Sequence, residues 1–182
     1  MVKFIESELE LLKKEINEMW TLVYNQIDRA GEAVLTMDKE LAQQVIVRER
    51  RVNAFELKID SDVEDVIALY NPVAIDLRFV LAMLKINTNL ERLGDFAEGI
   101  ARFVERCNEP VLDPELLQSL RLEEMYKQVL SMLETAKRAL NEESIELATS
   151  VFAKDNLLDE INANVTPVLS EYLQKHPESM LS

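Results

Sequence analysis

A chain of 182 residues, 48% hydrophobic and 30% charged, is long enough to bury a core and too apolar to remain disordered. Its formal charge of −14 excludes nucleic acid, which is bound by neutralising phosphates with Lys and Arg, and disfavours anionic membrane surfaces. With only three glycines and five prolines, and a menu rich in Leu, Glu, Ala, Lys, Arg and Met, the chain is predicted to form a few very long helices and no sheet.

The opening MVKFIESELELLKKE is charged throughout and has no apolar stretch of the kind a signal peptide carries; no run approaches a membrane span. The first predicted helix has an apolar seam through Ile5, Leu9, Leu12, Ile16, Met19 and Val23. It continues over Ile27, Ala30, Val34 and Met37 at alternating steps of three and four, the spacing of a helical bundle. Asp38 is placed to cap a second helix, which turns Leu41, Val45, Val52, Phe55, Ile59, Val63 and Val66 inward. Asn71-Pro72 ends that helix, because proline disfavours the helical state of the residue before it. A third helix follows to about Arg106, roughly 50 Å long at 1.5 Å per residue. Its apolar line is Phe79, Met83, Ile86, Leu90, Leu93, Ala97, Ile100 and Val104. The segment CNEPVLDPE, with Pro110 and Pro114, reads as a linker. Its single cysteine, Cys107, cannot form an internal disulfide, which fits a reducing cytoplasm.

After the linker the pattern starts again. Met19-Trp20, Val23, Ala30, Leu41-Ala42, Val45 and Val52 recur as Met125-Tyr126, Val129, Ala136, Leu147-Ala148, Val151 and Leu158, always 106 positions later. The terminator returns too, as His176-Pro177. The expected architecture is all-α: a three-helix repeat over 1–107, a linker over 108–115, and a second repeat over 116–182 that lacks its third helix. A two-helix hairpin cannot cover its own seam, so Leu158, Ile161, Val165, Leu169 and Leu173 need another helix or another chain against them. That uncovered seam points to a homodimer.

One feature of the third helix works against its own stability. Glu91, Asp95 and Glu98 lie along one face, where like charges cost about 0.2–0.5 kcal/mol per pair. Helix two carries a parallel stripe of Glu49, Asn53, Glu56 and Asp60, so antiparallel neighbours would line both edges of their contact with oxygen atoms. Two readings stand side by side. A solvated face is supported by Arg102 four residues after Glu98, by Arg92 within reach of Asp95, and by the basic line Arg78, Lys85 and Arg92. A cation site is supported by the carboxylates themselves, and oxygen ligation would suit magnesium, calcium, manganese or iron rather than structural zinc.

Catalysis finds no footing. A ferritin-like di-iron bundle requires Glu-x-x-His on two helices, and the single histidine, His176, has no acid three positions before it. There is no phosphate loop, no GxSxG elbow and no set of triad partners, so no enzymatic activity is expected. Gly94 and Gly99, each costing a helix about 1 kcal/mol relative to Ala, mark points where another helix or partner comes close.

The stretch PVAIDLRFVLAMLKINTNLERLGDFAEGIARF resembles the third helix of the PhoU family of phosphate-uptake regulators, through Asp76-Leu77-Arg78 and Glu91-Arg92-Leu93-Gly94-Asp95. Helix two is similar to the family pattern at Glu49, Val52, Asn53, Phe55, Glu56 and Ile59. The resemblance implies a cytoplasmic, all-helical negative regulator of phosphate uptake and phosphate-starvation signalling. Such a protein contacts the ATPase of the phosphate transporter and the PhoR sensor kinase and has no chemistry of its own. It also implies metal binding at an E/D-x-x-x-D motif, here Glu91 to Asp95, with Asn89 standing where the family often has Asp. Glu91, Asp95, Glu98, Glu49, Asn53 and Glu56 are thus the candidate metal ligands, and Asp76, Arg78 and Arg92 the candidate partner contacts. The alternatives are a metal-buffering bundle and a structural dimerising module, since PhoU-like units also occur fused to sodium-phosphate transporters.

Overall fold

A computed structural model of the chain describes residues 2–109 and 111–177; Pro110 of the expected linker lies outside them. The described residues form six helices and no strand: α1 (Val2–Thr36), α2 (Lys39–Tyr70), α3 (Ala74–Arg106), α4 (Pro114–Ser119), α5 (Leu122–Glu142) and α6 (Ile145–Lys175). None is long and apolar enough to cross a membrane. They fall into two compact units, one comprising the chain to Ala30 with Lys39–Arg106, the other Gly31–Asp38 with the chain from Cys107 on.

The first unit is built on the seams expected of α1 and α2. Leu12, Ile16, Met19 and Val23 of α1 are buried, as are Val45, Val52, Ile59, Val63 and Val66 of α2, while Leu41 and Phe55 are half-buried. Polar ties cross from α1 to α2, among them Arg29 donating to Gln44 Oε1 at 2.7 Å. Lys58 bridges Glu15 and Asp62, and Gln26, itself buried, donates to the Val45 carbonyl at 2.9 Å.

In α3 half of the expected line, Met83, Leu90, Ala97 and Val104, is buried, and the other half is displaced outward. Val80, Met83, Leu90, Ala97, Ala101 and Val104 face the core with Asn87 and Gly94, whereas Phe79, Ile86 and Leu93 are half-buried and Ile100 is exposed. The reason lies in side-chain size. The apolar arc of α3 is wider than its neighbours cover, and the small residues Gly94, Ala97 and Ala101 permit the closest approach, so they, and not the larger residues one step away, occupy the contact.

In the second unit α5 and α6 form a hairpin joined at Glu143-Ser144, with the Ser144 hydroxyl accepting from Leu147 N–H to cap α6. Gly31 of α1 belongs to this unit and lies against the Tyr126 ring; a Cβ there would fall 2.2 Å from it. The linker reading stops too late at 115. Asp113 caps a short helix, accepting from Glu115 N–H at 2.8 Å, with Pro114 in the first turn where its missing N–H is harmless. This α4 packs on both α5 and α6. It covers part of the seam expected to lie open: Ile161 is buried, and Leu158, Val165, Leu169 and Leu173 are half-buried.

Candidate functional site

Three residues, 71–73, connect α2 to α3, and the two helices run antiparallel in a register fixed by two contacts. Asn87 of α3 donates to the Glu56 carbonyl at 3.0 Å and to Asp60 Oδ1 at 2.8 Å. Seven residues on, Gly94 sits so close to α2 that a Cβ would fall 2.9 Å from Val52 Cγ1 and 3.2 and 3.3 Å from the carboxylate oxygens of Glu49. The acidic stripes of the two helices therefore lie along one shared seam.

Glu49 is the centre of that seam and only 2% exposed. Gln26 donates to its Oε2 at 3.4 Å, while Oε1 is buried without a hydrogen-bond partner. Burial pushes its carboxyl up to about 7; the Gln26 hydrogen bond opposes the shift, and the charges of Asp95, Glu98 and Glu91 across the interface add to it. Glu56 is raised by burial, then by Asp60 and Asp95. Glu91 is raised by burial, then by Asp95 and Glu56, against the positive charge of Arg92. Carboxylates of α2 and α3 thus repel across the contact, as the two stripes lead one to expect.

The ingredients of the solvated-face reading are present in part. Arg102 pairs with Glu98 at 2.7 Å, but Arg92 forms no ion pair with Asp95 among the described residues and is exposed. Asn53 is exposed too, and none of the three shifts involves it. Asp76 is half-buried in the first turn of α3, and Arg78 is exposed two residues on. Gly99 meets nothing within 4 Å, so only Gly94 of the two helix glycines marks a close helix approach.

For a cation the seam is suitable in chemistry and incomplete in arrangement. The donors are all oxygen, and the orphaned Oε1 of Glu49 lacks the partner a metal or proton would supply. Yet no group of three or more His, Cys, Asp or Glu among the described residues is placed to hold a metal ion. Two residues of the seam escaped sequence reasoning, Gln26 and Asn87. The signal was there: each is a polar residue at a core step, Gln26 between Val23 and Ala30, Asn87 between Met83 and Leu90.

A family model, the PhoU domain, matches residues 16–104 and 122–181, two stretches that begin 106 positions apart as the internal repeat does. The chain is 33% identical over 181 residues to the Phosphate-specific transport system accessory protein PhoU homolog of Aquifex aeolicus, covering 95% of this chain and 77% of that one. Homolog 1 of Thermotoga maritima is 29% identical over 93% of this chain and 72% of its own length. Among solved structures, PhoU from Pseudomonas aeruginosa superposes with a TM-score of 0.88 at 28% identity, covering 96% of this chain and 83% of that one.

Proposed function

The chain belongs to the PhoU family, and from that premise we propose that it is an accessory protein of a phosphate-specific transport system. In this reading it is a cytoplasmic negative regulator that restrains phosphate uptake and the phosphate-starvation response when phosphate is plentiful. It acts by contact with the transporter's ATPase and a sensor histidine kinase, without a reaction of its own, and as a homodimer. The observation that carries the reading is the family match across both repeats, together with relatives named for accessory proteins of phosphate transport.

The test is deletion of the gene, with phosphatase activity and phosphate uptake measured in phosphate-rich medium. Both are expected to rise, and to fall again on complementation. Unchanged levels after deletion would overturn the proposal.

A second reading, cation binding along the α2–α3 seam, is favoured by the unpartnered Oε1 of Glu49 facing like charges from α3. Glu91 and Asp95 would supply the charge it requires. Manganese is expected to raise the unfolding midpoint of the wild type and leave that of Glu91→Ala/Asp95→Ala unmoved; identical responses would remove this reading.

A further inference from the structure

The outward face of α3 repeats every seven residues. Ile75, Ala82, Asn89, Phe96 and Phe103 fall on one line of that repeat, and its three large apolar members, Ile75, Phe96 and Phe103, are 78%, 62% and 51% exposed. Arg78, Lys85, Arg92 and Arg106 fall on the adjoining line, each three residues beyond a position of the first. All four are exposed, and none forms an ion pair among the described residues. The remaining member of the basic line is Gly99, which opens a gap between Phe96 and Phe103 with nothing within 4 Å of where a Cβ would stand.

This arrangement is that of one strand of a coiled coil: an apolar line, broken by the polar Asn89, with charges of one sign along its outer edge, the positions that choose the partner and its orientation. It stands out on a chain of net charge −14, where Lys14, Lys58, Arg102, Arg121, Lys127, Arg138 and Lys175 are each paired with a carboxylate. The half-buried line Phe79, Ile86 and Leu93 adjoins it on the core side, so the apolar arc continues past what α1 and α2 cover.

We propose that this face of α3 docks a helix of another protein, one with an apolar line flanked by acidic residues at seven-residue spacing. Charge selects that occupant. A second copy of this chain, packed α3 on α3 about a two-fold axis, would bring its basic line against the same line and repel. The inference rests on the regulator reading, and supplies the chemistry of its partner: of the candidate contacts, Arg78 and Arg92 belong to the docking line, and Asp76 does not.

Two designed 28-residue helical peptides provide the test, one with a leucine line and glutamate flanks, the other with the same line and lysine flanks, their binding followed by fluorescence anisotropy. The glutamate peptide is expected to bind the intact chain at least about tenfold more tightly, and less so as salt is added. Arg78→Glu/Lys85→Glu/Arg92→Glu should reverse the preference, and Phe96→Ser/Phe103→Ser should weaken the glutamate peptide about tenfold; these exposed changes are checked for intact helicity by circular dichroism. Binding of neither peptide, or of both equally, overturns the proposal. So does flotation with phosphatidylglycerol vesicles that the Phe96→Ser/Phe103→Ser change abolishes, or a dimer that the same change dissociates in sedimentation. Complementation separates this proposal from the regulator reading. Full repression by the charge-reversed chain in the deletion strain overturns the docking face alone, whereas a deletion without phenotype overturns the regulator.

Discussion

Gly94 of α3 lies against Glu49 of α2 with no room for a methyl group between them: a Cβ at 94 would stand 3.2 Å from Glu49 Oε1 and 2.9 Å from Val52 Cγ1. Val52 is fully buried and β-branched, so it cannot swing aside. Gly94→Ala gains about 1 kcal/mol of helix propensity but must overpack this contact, at about 1–3 kcal/mol. The expected net result is a destabilised protein with a lower thermal midpoint. Gly99→Ala meets open space and should stabilise by up to about 1 kcal/mol. A pair of Ala variants with equal midpoints would contradict the close approach.

The same contact makes stability depend on pH. The native Glu49 carboxyl keeps its proton up to about 7, whereas a free Glu releases it near 4.5. Between those values the folded state binds more protons than the unfolded one, so this group's contribution to stability falls as pH rises from about 4.5 to about 7 and is flat above. The span is on the order of 3 kcal/mol at ~1.4 kcal/mol per pH unit. Glu49→Gln keeps the shape, can still accept from Gln26, and carries no charge. Urea unfolding at pH 5 and pH 8 should find the variant more stable than wild type at pH 8, with the difference shrinking at pH 5. Parallel profiles would rule out a buried ionisable Glu49.

Asn87 secures the register of α2 and α3 from inside the core. Its amide donates to both a carbonyl and a carboxylate of α2, and it is fully buried. Asn87→Ala removes both hydrogen bonds and leaves Asp60 without this donor, which should destabilise by about 2–3 kcal/mol. Asn87→Asp exchanges the donor for another acid beside Asp60, and should be worse at pH 8 than at pH 5. Thermal unfolding of the two variants at both pH values decides the matter.

What could be read from the residues followed their periodicity. The break at Asn71-Pro72 falls where α2 ends at Tyr70, and α3 ends at Arg106 as expected. The 106-residue offset is the spacing of the two matched domain stretches. Phase within α3 was less legible. A wide apolar arc has two edges, and nothing local says which edge the neighbours cover, so periodicity puts Ile100 inside while Asn87 and Ala101 hold the core. The six residues of α4 are too few for periodicity; their only signature was Asp113-Pro114 at the start. In the acidic seam, spacing placed the stripes, but the burial of Glu49 depends on Gly94, a residue 45 positions away in sequence.

The second unit responds to acid in the opposite sense. Asp113 is held below its ordinary carboxyl range by the Tyr172 hydroxyl, which donates to Oδ2 at 2.6 Å, then by the Glu115 backbone N–H. A depressed carboxyl contributes stability that is fully present above its ordinary value of 3.8 and is lost as pH falls through its lower native value. These bonds tie the start of α4 to the last turns of α6, where Tyr172 also stacks on His176 at 4.6 Å between ring centroids. Tyr172→Phe keeps the ring and the stacking but removes the donor. Amides of residues 115–120 should then exchange with solvent faster at neutral pH, while those of α5 hold. In the wild type the same amides should lose protection only below about pH 3.8, well under the window in which Glu49 takes up its proton. Unchanged exchange at 115–120 in the variant would show that packing, and not this hydrogen bond, holds α4 in place.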